Sequence, residues 1–316
     1  MWVWILFISV VMVFLALDLG VFHRHEHVVK SKEAGMWTAL WVSVALGFSG
    51  VIYWLFYNGL VENPTGLAPN TAVLKYVTGY LIELSLSIDN VFVIAVIFST
   101  FNIPPLYQHR VLFWGILGAI VFRGLMIVFG VALINKFEWI IYVFGLFLLY
   151  TAYKMLRSED SEFDPKNSFV FRQLKKLYPI TSGIHGNHFF VKRMGVTAAT
   201  PLFVALIIIE LTDVLFALDS IPAILAITAD PFIVFSSNIL AILGLRSMYF
   251  LISRMLQKFR FINYSLVVIL AFVGLKMLFS HHIEIPEWGS LTVISVSLVG
   301  GIVASLVIPE KKSITS

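Results

Sequence analysis

ELSLSIDNV, residues 83–91, places two carboxylic acids and an amide inside an otherwise apolar run that covers residues 71–101. As a helix, a run of this length is sufficient to cross the roughly 30 Å hydrocarbon core of a membrane. Ionisable side chains are costly inside such a segment and usually have a function there. The stretch therefore predicts a membrane-spanning helix in which Glu83, Asp89 and Asn90 serve a chemical purpose.

The composition of the whole chain indicates an integral membrane protein. Of its 316 residues, 59% are hydrophobic and 13% are charged, and the mean hydropathy is +0.92. A soluble core of this size does not need so much apolar surface, so the soluble classes are excluded. The chain contains no cysteine, which excludes disulfides and thiolate metal sites built from its own residues.

Nine apolar segments predict an all-α membrane protein with nine transmembrane helices, forming a single domain over residues 1–316. The first segment lacks a positive region and a small-residue cleavage site, so we interpret it as a helix rather than a removable signal. The other eight cover approximately 36–58, 71–100, 109–133, 137–156, 198–228, 232–255, 261–279 and 287–308.

Lysine and arginine set the orientation. With the N-terminus outside, the inner loops hold sixteen of these residues and the outer regions hold two, which predicts an N-terminus outside and a C-terminus in the cytoplasm. Residues 157–197 then form the one long cytoplasmic loop. It contains a basic amphipathic stretch, FVFRQLKKLY, that we expect at the inner membrane surface.

An internal repeat relates two parts of the chain. Glu83 and Asp89 are six residues apart, and in ELTDVLFALDSIPA, residues 210–223, Asp213 and Asp219 have the same spacing. Because a match of this kind is read within one chain, it predicts that the two acidic motifs occupy equivalent positions in two similar structural units.

The match continues downstream, where FRGLM around Arg123 corresponds to LRSMY around Arg246. The two repeats cover about 71–156 and 198–278, with three predicted helices each. Three is an odd number, so the second repeat enters the membrane from the opposite side. Inverted repeats are typical of transporters, whose substrates bind near the midplane where the repeats meet.

The two helices that carry the acidic motifs are predicted to be about thirty residues long. Tilt can absorb part of this length, and a local break is the alternative, because the polar side chains of the first motif compete for backbone hydrogen bonds and Pro222 lies in the second. In an unbroken helix, residues seven apart share a face, so Glu83 aligns with Asn90 and Asp213 with Ser220. A break would let all four acids converge on one cavity.

The charges within the segments predict a cation site. Six acids and four bases lie there, which leaves two negative charges unmatched. Protonation or one divalent cation would compensate them. Oxygen ligands favour hard ions such as Mn²⁺, Mg²⁺ and Ca²⁺. The predicted ligands are Glu83, Asp89, Asn90, Asp213, Asp219 and Ser220.

Further residues could contribute to this site. Asp18 is either a ligand or a structural acid, and Ser87 and Thr212 either ligate or bond their own backbone. Glu210 lies one helical turn before the acid of the second motif. We expect the charge-compensating residues Arg123 and Arg246 to pair with acids of the long helices. The histidines of the loop 23–27 are expected to be solvated, and the sequence does not assign them a role.

The two acidic motifs, the charged loop between them and the nine apolar segments resemble the TerC family of membrane proteins, which is named for tellurite resistance and includes an Alx-like branch. The resemblance extends over nearly the whole chain. It implies a bacterial inner (plasma) membrane protein related to manganese export. The acidic positions of the family motif fall on Glu83, Asp89, Asp213 and Asp219.

We therefore expect a non-enzymatic exporter of a divalent cation, with Mn²⁺ as the first expectation and Mg²⁺ or Ca²⁺ as alternatives. It would work by alternating access, with protons as the proposed coupling ion and no organic cofactor. One alternative is a membrane scaffold that supplies metal to secreted proteins, with membrane-protein partners or a second copy of the chain. Another is a tellurite-resistance oxyanion transporter, which would need a basic cavity around Arg123 and Arg246. Lipid and metal ion are the expected partners, and nucleic acid is not.

Overall fold

The structure, a computed structural model, consists mainly of long apolar helices. It describes residues 2–20, 31–63, 66–137, 139–157, 165–181, 183–193, 196–253, 261–280 and 285–307. The helices are α1 (Trp2–Gly20), α2 (Ser31–Tyr57), α3 (Pro69–Thr100), α4 (Pro105–Lys136), α5 (Ile140–Arg157), α6 (Phe169–Leu177), α7 (Pro201–Leu225), α8 (Pro231–Ile252), α9 (Ile262–Leu278) and α10 (Glu287–Val307).

Seven helices of the described residues are long and apolar enough to cross a membrane, namely α2, α3, α4, α5, α7, α8 and α10. Two further helical stretches, Trp2–Leu17 of α1 and Ile262–Leu278 of α9, are also apolar but shorter than these seven. The chain is therefore a multi-pass membrane protein. Four of the helices, α3, α4, α7 and α8, have a proline in the first turn, where its missing N–H leaves no hydrogen bond unmade.

Of the two alternatives left open for the long acidic helices, the local break is wrong. Helix α3 is continuous over 32 residues, and α7 is continuous over 25 residues with Pro222 near its end. Ser85 Oγ donates to the Leu81 carbonyl at 2.7 Å, and Ser87 Oγ donates to the Glu83 carboxylate at 3.3 Å. Because these hydroxyls find acceptors without taking a helical N–H, the helix has no local reason to unwind.

The core of the bundle is formed by α3, α4, α7 and α8. Helix α3 packs against α8 and α7, and α4 packs against the same two helices. Helix α2 covers α3 and α8, and α10 lies against α3 and α9. Since α8 is the most buried of the seven spanning helices, the centre of the bundle is well shielded from lipid.

Helices α5 and α9 form a second tight pair. A Cβ at Gly145 would lie 3.0 Å from the carbonyl oxygen of Gly274, and a Cβ at Gly274 would lie 2.9 Å from that of Gly145. A real Cβ is essentially never found at the shorter distance and rarely at the longer one, and in both cases the neighbouring atom is backbone. The two glycines therefore allow a backbone-to-backbone approach of the kind that favours helix association in membranes.

A small module precedes α7. It comprises a 3₁₀ turn (Pro165–Asn167), α6 and an antiparallel hairpin of β1 (Phe190–Arg193) and β2 (Val196–Ala199). The hairpin register pairs Phe190 with Ala199. Because β2 is followed directly by α7, this module fixes the position at which α7 begins.

Candidate functional site

Two carboxylates meet at the centre of the bundle. Glu83 is the fifteenth of the 32 residues of α3, and Asp213 is the thirteenth of the 25 residues of α7. Each therefore lies about halfway along a spanning helix. Their relative exposures are 0% and 8%, so both are shielded from solvent and lipid.

Arg123 of α4 joins these two acids. Its Nη2 lies 2.7 Å from Asp213 Oδ1 and its Nε lies 3.1 Å from Asp213 Oδ2, a two-point contact. Its Nη1 donates to Glu83 Oε1 and, at 3.1 Å, to Asn238 Oδ1 of α8. The guanidinium is 1% exposed. One cation thus connects four helices, and Arg123 pairs with an acid of each long helix, as the sequence led us to expect.

Two polar neighbours complete this group, which we call the central cluster: Glu83, Asp213, Arg123, Asn238, Asn90 and Ser87. Asn90 shares the face of Glu83, as its spacing predicted, and its Nδ2 lies 3.3 Å from Asp213 Oδ1. With the amide rotated, its oxygen instead accepts from Arg123 Nη2 at 3.2 Å and its nitrogen donates to the Leu86 carbonyl. Asn90 contacts the cluster in either orientation.

The central cluster carries one negative charge in excess when both acids are ionised, because two carboxylates face one guanidinium. Glu83 Oε2 and Asn238 Nδ2 are buried and have no hydrogen-bond partner among the described residues. An uncompensated buried charge is strongly unfavourable. The cluster can therefore hold a proton or a further cation, and its free oxygen is available to either.

A small cavity adjoins the cluster. Its volume is about 20 Å³, which is room for roughly one water molecule. Asn90, Thr212 and Asp213 supply polar lining, and Arg246 lies at another part of the wall. The remaining lining is mostly apolar side chains of α3, α4, α7 and α8. The cavity therefore gives a small solute direct contact with the carboxylate of Asp213.

The other two motif acids lie apart from the central cluster. Asp219 Oδ1 accepts a hydrogen bond from Thr151 Oγ1 of α5 at 2.9 Å, and Lys154 attracts the same carboxylate. Asp89 is half-buried. In an unbroken helix it points about 120° away from Glu83. Within the described ranges no three His, Cys, Asp or Glu side chains are arranged to hold a metal, so the four acids do not form one cage in this conformation.

Glu210 occupies a separate, half-buried position between α7 and α4. A Cβ at Gly118 would collide with both of its carboxylate oxygens, so the carboxylate can hold this position only because position 118 has no side chain. Its Oε2 is buried without a hydrogen-bond partner in the described part of the chain. Asp213 is close enough to repel it electrostatically. Glu210 is thus coupled to the central cluster by charge.

The remaining predicted residues have different surroundings. Thr212 Oγ1 donates to the Ile208 carbonyl at 2.6 Å, so its hydroxyl bonds its own backbone. Ser220 Oγ is buried without a hydrogen-bond partner in the described residues, and Arg246 Nη1 lies 3.4 Å from His109 Nδ1. The side chain of Asp18 and the histidine-rich loop 23–27 lie outside the described residues.

Comparison with known proteins agrees with this membrane architecture. The model of the TerC family of integral membrane proteins matches residues 68–313, a range that contains the whole central cluster. The chain belongs to the TerC family.

Relatives of this TerC-family protein cover most of its length. An uncharacterised membrane protein of Myxococcus xanthus is 50% identical over 304 residues, which are 96% of this chain and 92% of the relative. The protein named "Putative membrane-bound redox modulator Alx" in Escherichia coli is 44% identical over 289 residues, 91% of this chain and 89% of the relative. The Salmonella typhi protein of the same name is 45% identical over 289 residues. No solved structure matches the chain.

Two residues of the TerC-family site were missed from sequence. Asn238 is the one amide in the apolar segment of α8 and follows two serines, a signal that could have indicated it. Gly118 offered no signal, because a glycine in an apolar helix is common and its importance depends on Glu210 of another helix.

The TerC-family bundle is tied together by ion pairs at the end where α7 finishes. Lys75 Nζ lies 3.1 Å from Glu287 Oε1 and donates to the carbonyl of Ile227, just after α7, at 2.9 Å. Lys276 Nζ lies 3.6 Å from Glu287 Oε2 and 2.9 Å from Ser290 Oγ. This network connects α3, α9, α10 and the turn after α7.

Proposed function

We propose that this TerC-family protein exports a hard divalent cation, with Mn²⁺ as the first choice, across the bacterial inner membrane. One observation carries the proposal: two buried acids at mid-helix share a single arginine and leave one negative charge without a partner. Carboxylate, amide and hydroxyl oxygens surround this charge, and such ligands select Mn²⁺, Mg²⁺ or Ca²⁺ rather than softer metals.

Arg123 has a defined part in this proposal. In the absence of cargo its guanidinium neutralises one of the two negative charges that Glu83 and Asp213 carry when both are ionised. A divalent cation that binds the same oxygens must displace the guanidinium, so the arginine and the cargo compete. Competition of this kind prevents the acids from being left without a counter-charge when the cargo leaves.

The proposed transport cycle uses nine transmembrane helices with the N-terminus outside and two inverted three-helix repeats. The contacts support this arrangement, because α3 packs against α8 as α4 packs against α7, as inverted symmetry would require. The ion pairs around Glu287 would open on the outer side when the repeats move. Asp89 and Asp219, now separate, would reach the cargo in a conformation other than this one.

Redox modulation is a second candidate, supported by the names of the Alx relatives. The 316 residues contain no cysteine, so thiol–disulfide exchange is not available to this chain. We propose that any redox effect follows from the metal that the protein moves.

Metal flux into proteoliposomes tests the proposal. We expect saturable Mn²⁺ uptake, measured with a metal-quenched dye inside the vesicles, to be lost in Glu83→Gln and Asp213→Asn and reduced in Asp89→Asn and Asp219→Asn. Glu62→Gln is the matched control, because this exposed acid lies in the loop after α2, and it should transport normally. Undiminished flux in Glu83→Gln and Asp213→Asn would contradict the central cluster as the cation site. An absence of flux in the wild type, with co-purification of secreted-protein machinery, would instead support the metal-supplying scaffold.

A further inference from the structure

Residues 165–200, which we call the basic module, have an unusual charge content. They contain six lysines and arginines and no aspartate or glutamate. The four acids of the preceding segment 158–164 lie outside the described residues. A net positive charge of this size next to a membrane helix is attractive to anionic lipid headgroups.

The basic residues of the module are available for such contacts. Arg172, Lys175 and Lys176 of α6 and Lys192 of β1 are exposed, and none of the four forms an ion pair within the described part of the chain. The opposite face of α6 is occupied, because Val170, Phe171 and Leu174 pack against the core. The charges of α6 therefore point away from the protein.

The module also exposes apolar side chains. Leu177 is 72% exposed and Val196 is 56% exposed, and the rings of Tyr178 and Phe190 are each 41% exposed. Exposed apolar residues beside lysines are the arrangement by which amphipathic segments lie in the membrane interface, with the apolar groups below the headgroups.

The position of the module places these groups at the membrane surface. The Phe190 ring lies 4.3 Å from the ring of Phe203, the third residue of α7, and Tyr178 contacts Phe190 at 5.8 Å. Thr200 donates through its N–H to the Phe189 carbonyl at 2.9 Å, which locks the hairpin to the start of α7. The exposed residues are thus held at the level where α7 enters the bilayer.

We propose that the basic module binds the anionic phospholipid headgroups of the leaflet in which α7 begins. Lysine and arginine side chains contact the headgroup phosphates, and Leu177 with its neighbours inserts at the boundary with the acyl chains. Because the module is joined rigidly to α7, this contact fixes the depth of the helix that carries Asp213. The binding is a property of the module and does not depend on metal transport.

A single fluorophore can test this proposal, since the chain has no cysteine of its own. Leu177→Cys labelled with an environment-sensitive dye is reconstituted into nanodiscs of phosphatidylcholine with or without phosphatidylglycerol. We expect a blue-shifted, quencher-protected signal only with phosphatidylglycerol, and loss of the difference at high salt.

Two matched double variants supply the controls in that background. Lys175→Gln with Lys176→Gln should weaken the partition of the dye into the interface by about five-fold for each charge removed. Lys32→Gln with Lys136→Gln removes two charges outside the module and should leave the signal unchanged. Thermal unfolding of each variant checks that the fold is intact. The proposal would be overturned by equal signals in both lipids or by an equal loss of signal in both double variants. It would also be overturned if the blue shift appeared in pure phosphatidylcholine and required added RNA or acidic protein.

Discussion

Replacement of Arg123 by methionine is the sharpest test of the central cluster. The substitution retains the volume of the side chain but removes four hydrogen bonds, three of them to carboxylates. Removal of one partner of a buried ion pair costs about 3–5 kcal/mol. Because Glu83 and Asp213 would both lose the counter-charge that they share, we expect a loss within this range.

The excess negative charge of the cluster leads to a second expectation, which concerns the stability of Asp213→Asn. In Asp213→Asn, Arg123 still pairs with Glu83 and the cluster becomes neutral, so the cost should fall to about 0.5–1.5 kcal/mol, the value of an ordinary hydrogen bond. Loss of an acid is therefore predicted to be less harmful than loss of the arginine. A cluster with one acid for one base would give equal losses.

Reversible unfolding in mixed detergent micelles, followed by circular dichroism, measures these free energies. Arg157→Met is the matched control. Among the described residues, this exposed arginine contacts only Tyr153: its guanidinium lies 5.7 Å from the ring centre and donates one hydrogen bond to the hydroxyl. Its replacement should cost less than about 1 kcal/mol. The reasoning fails if Arg123→Met is no more destabilising than Arg157→Met, or if Asp213→Asn costs as much as Arg123→Met.

Three further predictions concern other parts of the molecule. Gly274→Ala should separate α5 from α9, because its Cβ would meet the Gly145 carbonyl, and should destabilise the protein by about 1–3 kcal/mol. The same unfolding assay measures this loss. Unchanged stability would contradict the close approach of the two helices. Gly118→Ala should push the flexible carboxylate of Glu210 aside and reduce Mn²⁺ flux with little loss of stability. A flux equal to that of the wild type would show that the position of this acid is unimportant. Burial raises the pKa of Asp230, although its carboxylate accepts the cap hydrogen bond at the start of α8. The folded state therefore holds this proton more tightly than the unfolded state, whose Asp pKa is about 3.9. As a result, the folded state loses stability as the pH rises from that value through the raised pKa. Asp230→Asn retains a cap acceptor and should abolish that decline in melting temperature, whereas parallel pH curves for the two proteins would refute it.

The sequence by itself determined the membrane class and the position of the long acidic helices, and it singled out Glu83, Asn90, Arg123 and Asp213, which the structure brings together. These features depend on local chemistry: hydrocarbon length sets the apolar runs, and an ionisable group in such a run must have a partner. The seven-residue spacing was sufficient to place Glu83 and Asn90 on one face, since helix geometry alone decides it.

Only the tertiary structure decided which partners meet. The sequence grouped Asp89 and Asp219 with the other motif acids, yet continuous helices turn them away, and Asp219 instead bonds Thr151. Likewise, the contact of Asn238 with Arg123 and the space that Gly118 leaves for Glu210 come from the rotation and separation of packed helices. Those quantities arise from side-chain interlocking among residues far apart in the chain, which no local pattern encodes.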